Sequence, residues 1–301
     1  MTKHFLDLRD YNKDELVGLV KRAIELKKGK KPKIKAGKVL AMIFTKPSTR
    51  TNVSFHMAMK KLKGDALYLG SEALQLSRGE TMGDTAQTLS RYVDAVMIRT
   101  FSHRDVLDLA AAATVPVING LTDILHPCQG LGDLMTITEK KGYEYENMKV
   151  AFIGDGNNVC NSIINAAGIF GFKLTVASPE GFEPKESIVA PMKEKNKDII
   201  ITNDPDEAAG GADTIYTDVW VSMGDEAEED KRKEKFGRFQ VNSHLLAKAK
   251  NDAIVMHCLP ANRGEEITDE VMDGPNSAIF DQAENRLHSQ EAVLEYLLKG
   301  T

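Results

Sequence analysis

The densest chemistry in the chain lies in FTKPSTRTNVSF, residues 44–55. The segment follows an apolar run that reads as a buried strand. It opens a stretch of helical spacing, with Pro47 fixing the approach and Ser48 or Thr49 available as N-cap. A helix N-terminus presents unpaired backbone N–H groups and a partial positive charge, so it attracts anions. Two hydroxyls and the guanidinium of Arg50 in that turn add donors whose fork geometry suits phosphate. The plainer alternative is a capped helix with one surface arginine. No Gly-x-x-x-x-Gly-Lys-Ser/Thr loop occurs, so nucleotide hydrolysis has no support.

Comparable polar groups recur along the chain. Arg99 ends AVMIR, and His126-Pro127-Cys128-Gln129 follows PVIN after a short loop. Gly154-Asp155-Gly156-Asn157-Asn158 follows KVAFI, Asp218 and Ser222-Met223-Gly224 follow TIYT, and His257-Cys258-Leu259-Pro260 follows AIVM. Each lies just past the C-terminal end of an expected parallel strand, where open α/β sheets build their sites. Singly, each has a dull explanation: Arg99 an ion-paired edge residue, His126 a satisfied loop histidine, Cys258 a small buried hydrophobe. Together they are hard to dismiss. GDGNNV imitates a dinucleotide fingerprint with Glu180 downstream, but Val159 occupies the third glycine position, so the dehydrogenase reading is weak. A metal-dependent hydrolase using His126, Cys128, His257 and Cys258 lacks the carboxylate or His-x-x-x-His geometry of a catalytic metal, so neither metal nor cofactor is expected. Cys258 as a nucleophile has no base paired to it by pattern, since His257 is its direct neighbour.

The elements that must position these groups alternate almost from end to end. Val39–Phe44, Ala66–Leu69, Ala95–Arg99, Val115–Asn119, Val150–Ile153, Leu174–Ala177, Ile199–Ile201, Thr214–Tyr216 and Ile254–Met256 read as short buried strands, with a last apolar piece at Ala278–Phe280. Asn12–Lys28, Thr49–Lys63, Thr81–Tyr92, Ser102–Ala113 and a final stretch from about Ala283 to Lys299 read as helices. The fold class is therefore α/β, with two doubly wound parallel-sheet domains joined by interdomain helices, since ten strands are many for one open sheet. The boundary is expected in the polar stretch 142–149. DEAEEDKRKEK at 225–235 reads as a mobile loop or short exposed helix, a plausible lid over a bound substrate.

Composition removes other classes. The 301 residues carry 39 basic and 44 acidic side chains, a formal charge of −5, which argues against a nucleic-acid partner despite the basic cluster KKGKKPKIKAGK. A 42% apolar fraction, raised to about half by 23 glycines, excludes disorder. No apolar run approaches the roughly 20 residues of a membrane span, and the N-terminus has charges where a signal peptide needs an apolar run. Three cysteines without short spacing point to a reducing cytoplasm.

PSTRT (47–51), HPCQ (126–129), DVWVSMG (218–224) and HCLP (257–260), in this order and spacing, resemble the ornithine carbamoyltransferases, within the aspartate/ornithine carbamoyltransferase family. The resemblance runs from Phe5 to AENR at 283–286. It implies a carbamoyl-phosphate-binding domain at 1–141, with a C-terminal helix at 286–301 packing back on it, and an ornithine-binding domain at 142–285. Ser48, Thr49, Arg50, Thr51 and Arg99 would hold the phosphate, and Arg286 would also face carbamoyl phosphate. His126 would address the carbamoyl oxygen and Gln129 its amine, while Cys258 and Leu259 would stand at the reacting end. L-ornithine would meet Asn158 and Met223 at its carboxylate, and Asp218 and Ser222 at its α-amine. Gln75 would reach the phosphate in a neighbouring subunit, as the family forms trimers.

Of these, Arg50, Arg99, His126, Gln129 and Cys258 are the expected catalytic residues. The implied reaction gives citrulline and phosphate, towards arginine biosynthesis; a putrescine or other amine carbamoyltransferase is the alternative, and DVWVSMG argues against it. The sequence departs from the family at Asn52 and His56, which replace an Arg and a Glu and leave Glu80 and Arg91 as candidate rearranged partners.

Overall fold

Short apolar runs bounded by turn residues are too brief for helices and become strands; parallel pairing buries them on both faces. The computed structural model describes residues 2–75, 79–222, 224 and 226–299. In chain order the elements are α1 (Lys13–Lys27), β1 (Val39–Phe44), α2 (Thr49–Lys61), β2 (Asp65–Gly70), α3 (Met82–Leu89), β3 (Ala95–Arg99), α4 (His103–Ala112), β4 (Val117–Leu121) and α5 (Pro127–Lys141). There follow β5 (Lys149–Ile153), α6 (Asn158–Phe170), β6 (Lys173–Ala177), α7 (Glu186–Lys195), β7 (Ile199–Thr202), α8 (Pro205–Ala209) and β8 (Thr214–Thr217). The last are α9 (Glu229–Phe236), α10 (Ser243–Leu246), β9 (Ile254–His257), α11 (Asp269–Met272) and α12 (Ile279–Leu298).

Two compact units result: residues 1–135 with 285–301, and residues 136–284. Unit 1 holds a parallel sheet in the order β2-β1-β3-β4, and unit 2 one in the order β7-β6-β5-β8-β9. The fold is thus two parallel-sheet α/β units with helices against each sheet. The division falls inside α5 and α12, while the polar stretch 142–149 lies within unit 2. The end of α12 is fixed to unit 1 by a bidentate pair: Arg22 donates through Nε and Nη2 to Glu295 at 2.7 and 2.9 Å, and the Lys33 amide donates to the same carboxylate at 2.8 Å.

One expectation needs correction. Ala278–Phe280 is not a tenth strand. Residues 276–278 exchange only two backbone hydrogen bonds with Val255, and α12 begins at Ile279, earlier than the expected Ala283. Of the two readings of 225–235, the short exposed helix is the one found: a 3-10 turn leads into α9, most of whose side chains are exposed, with Arg232 and Phe236 buried. No helix among the described residues is long and apolar enough to cross a membrane.

Candidate functional site

In unit 1 the register does the placing. β1 and β3 pair so that Phe44 stands opposite Arg99, and the next amide, Thr45 N–H, donates to the Arg99 carbonyl at 3.0 Å. Arg99 therefore leaves the sheet level with the turn that opens α2. This is also where the strand order reverses about β1, the point at which such sheets form their clefts. Ser48 caps α2, its Oγ accepting from the Thr51 amide at 3.2 Å.

The side chains then converge. Thr51 Oγ1 accepts from Arg99 Nη1 at 3.4 Å and from Arg286 Nη2 at 3.3 Å, and lies 3.2 Å from the Ser48 hydroxyl. Arg286 Nη1 donates to Gln129 Oε1 at 2.6 Å, and Gln129 Nε2 donates to Asp133 Oδ1 at 2.7 Å. Two guanidinium groups of like charge thus share one neutral hydroxyl through long hydrogen bonds. Phosphate oxygens would accept from both at charge-assisted strength. His126 is buried, and its basicity is held well below the ordinary histidine range, first by burial and then by Arg286, Arg99, Lys46 and Arg50. The ring is neutral at physiological pH and can polarise a carbonyl by donating one hydrogen bond. Cys128, behind it, has its thiol pushed up to about 12 by burial and is inert.

Thr49 and Arg50 lie on the exposed first turn of α2, and Gln75 is exposed two residues after the 3-10 turn Ser71–Ala73. Among the described residues, neither Glu80 nor Arg91 pairs with Asn52 or His56; His56 is exposed to solvent.

Unit 2 repeats the logic. Ile153 pairs with Thr217 and Thr217 with His257, so β5, β8 and β9 end level, again where the strand order reverses. The residues just past those ends meet: Cys258 Sγ donates to Asp218 Oδ1 at 2.8 Å, and Asn157 Nδ2 donates to Asp218 Oδ2 at 2.7 Å. Asp218 is buried; Asn158, Ser222, Cys258 and Leu259 are half-buried, while Met223 lies outside the described residues.

Asp218, His257 and Cys258 are close enough to resemble a metal cluster. However, His257 Nδ1 accepts from the Leu259 amide at 2.9 Å, so Nε2 carries the proton it directs at Glu266, 2.9 Å away. Neither ring nitrogen offers an ion a lone pair. His126 and Cys128, the other half of the supposed metal set, belong to unit 1.

Comparison with known proteins also divides the chain in two, although the second match takes in residues 285–297, which belong to unit 1. Residues 3–139 match the aspartate/ornithine carbamoyltransferase carbamoyl-P binding domain, and residues 146–297 match the Asp/Orn binding domain of the same family. The chain belongs to the aspartate/ornithine carbamoyltransferase family. An ornithine carbamoyltransferase of Anoxybacillus flavithermus is 54% identical over 98% of this chain and 96% of its own. A Pyrococcus furiosus protein named as the anabolic ornithine carbamoyltransferase is 52% identical over 99% of this chain and 97% of its own. The solved structure of ornithine carbamoyltransferase from Pyrococcus furiosus superposes with a TM-score of 0.94 at 51% identity, covering 99% of this chain and 98% of that one. The carbamoyl-P match contains Ser48 through Gln129 of the guanidinium network, and the Asp/Orn match contains Arg286 and the Asp218–Cys258 pair.

Sequence reasoning passed over Lys46, Asp133 and Glu266. Lys46 is buried with its ammonium 4.9 Å from the Phe101 ring centroid; ahead of Pro47 it looks like an ordinary loop lysine. Asp133 had a usable signal, because it stands four residues after Gln129 on one helix face.

Proposed function

We propose that this chain transfers the carbamoyl group of carbamoyl phosphate to the δ-amine of L-ornithine, giving L-citrulline and phosphate. The observation that carries the donor half is the convergence of Arg99 and Arg286 on Thr51 Oγ1 beside a neutral His126. Ser48, Thr49, Arg50, Thr51, Arg99 and Arg286 hold the phosphate. His126 donates to the carbamoyl oxygen. Gln129 Oε1, which accepts from Arg286 with one lone pair, takes a carbamoyl N–H with the other. The neutral δ-amine attacks the carbonyl carbon, the new C–N bond forms, and the C–O bond to phosphate breaks. The departing phosphate carries the surplus amine proton. Preorganised donors around the oxyanion and the leaving group are the main source of rate, together with holding two substrates in register.

For the acceptor, Asp218 and Ser222 bind the α-ammonium, Asn158 and Met223 the carboxylate, and Cys258 and Leu259 lie at the reacting end. Putrescine keeps a second ammonium but lacks the carboxylate, so the contacts proposed for Asn158 and Met223, rather than Asp218, are what would favour ornithine over it. The anabolic name of the Pyrococcus furiosus relative supports the citrulline direction. Cys128, Cys160 and Cys258, none in a disulfide, support a reducing compartment, the cytoplasm. The working form is a homotrimer or a multiple of it. Citrulline-type product formation, measured side by side with ornithine, putrescine and N-acetylornithine, tests the reading. Ornithine is expected to be the only efficient acceptor, and equal turnover of putrescine would overturn it.

A further inference from the structure

The loop Gly154-Asp155-Gly156-Asn157, discounted above as a nucleotide fingerprint, is built for a different purpose. Gly154 has φ +141°, in the region that favours glycine, and a side chain there would face Thr217 and the Asp218 carbonyl at 3.6 and 3.7 Å. A Cβ on Gly156 would fall 2.2 Å from the Pro184 nitrogen, and its amide donates to the Phe182 carbonyl at 2.8 Å. Both glycines let the loop lie against protein backbone rather than against a ligand. The result is the placement of Asn157 beside Asp218.

Asn157 divides its amide between two tasks. Its Oδ1 accepts from the Val159 and Cys160 amides at 2.9 and 3.1 Å and so caps α6. Its Nδ2 donates to Asp218 Oδ2 at 2.7 Å. Two backbone donors on Oδ1 fix which end of the amide is which, so the contact with Asp218 is a true donation rather than an arbitrary flip. With Cys258 on the other oxygen, the Asp218 carboxylate is clamped from both sides. We infer that Asn157 is a positioning residue for the acceptor amino acid: it orients Asp218 towards the α-ammonium and touches no substrate itself. This rests on the ornithine reading above.

Caps of Asp and Ser quality nearly equal Asn, so Asn157→Asp and Asn157→Ser retain the helix start while removing the donor. In Asn157→Asp a second carboxylate also faces Asp218. Both variants of the full chain are expected to unfold near the wild-type temperature and to keep the wild-type KM for carbamoyl phosphate. Their KM for ornithine should rise about tenfold or more, the effect of one lost hydrogen bond to a charged group. Their preference for ornithine over 5-aminopentanoate, which lacks the α-amine, should fall by the same factor. In an Asp218→Asn background the further effect of Asn157→Asp should vanish, because the two act as one unit.

An unchanged ornithine KM in both variants, or equal damage to both substrates, overturns the assignment. So does loss of folding in both, since that would make Asn157 a structural residue. A wild-type protein that forms no citrulline from ornithine overturns the functional reading instead, and is told apart by that assay alone.

Discussion

His126 shows how a single residue can be tuned by where its backbone leaves the sheet. It follows the end of β4 and sits buried among Lys46, Arg50, Arg99 and Arg286, so the imidazolium is disfavoured by burial and by four like charges. The stability consequence has a definite sign. The folded ring stays neutral where the unfolded ring, with a pKa of about 6.5, takes up a proton. Below that value the unfolded state is therefore favoured, by up to about 1.4 kcal/mol per pH unit for each such histidine. His4 and His103 are shifted the same way, chiefly by burial.

Stability should thus fall as pH drops from neutrality towards 5, before buried carboxylates such as Glu295, whose acidity is strengthened by Arg22, begin to lose their pairs. Urea titrations at pH 7 and pH 5 should show a smaller loss for His126→Gln than for wild type, and an identical loss would contradict the burial of a neutral ring. At this scale the sequence was informative about residue identity and uninformative about pairing. PSTRT and HPCQ announce donors, but only folding shows that Arg286, 157 positions after Gln129, donates to it.

Elements were legible where hydrophobic period decides them and less so where one buried side chain does. The nine strands among the described residues follow mainly apolar runs: inner parallel strands, buried on both faces, read as continuous apolar stretches, while the edge strand β2 keeps Leu67 and Tyr68 exposed. Ala278–Phe280 imitates a strand because it is apolar, yet the two hydrogen bonds that residues 276 and 278 exchange with Val255 do not make a ladder. The EDKRKEKF segment looked exposed because only Phe236 is apolar, and periodicity cannot foresee that an arginine is buried. Arg232 donates to the Trp220 carbonyl at 2.9 Å, approaches Asp155 at 3.2 Å and lies 4.9 Å from the Phe182 ring centroid. Phe236 packs beside the same ring at 5.0 Å. Arg232→Ala should break the buried ion pair with Asp155, a loss of about 3–5 kcal/mol, felt first in α9. Limited proteolysis should then cut within residues 225–236 at concentrations of protease that spare the wild type. Equal resistance of the two proteins would mean that Phe236 alone holds the helix.

The whole molecule, on this reading, is more than one chain. Unit 1 exposes Val53 and Met57 on α2 and Leu67 and Tyr68 on β2, and β2 is an edge strand of its sheet. Exposed apolar side chains around an open edge are a liability unless another surface covers them. A second copy of the chain is the occupant the proposed trimer supplies. Gln75 lies five residues past the end of that strand and is exposed, as a residue lent to a neighbour would be. A cyclic trimer is a ring in which each interface joins two different patches, so if Gln75 is donated across it, every donor site needs Arg99 from one subunit and Gln75 from the next. Gln75→Ala and Arg99→Ala should each be crippled alone. When the two are mixed and reassembled, each hybrid ring contains a single boundary at which an intact Arg99 meets an intact Gln75, and one that carries both lesions. Roughly one site in three of the hybrids should therefore regain activity, because a closed ring of three with two subunit types crosses that boundary once. Activity of verified hybrids no higher than the mean of their parents would show that Gln75 serves its own subunit or none.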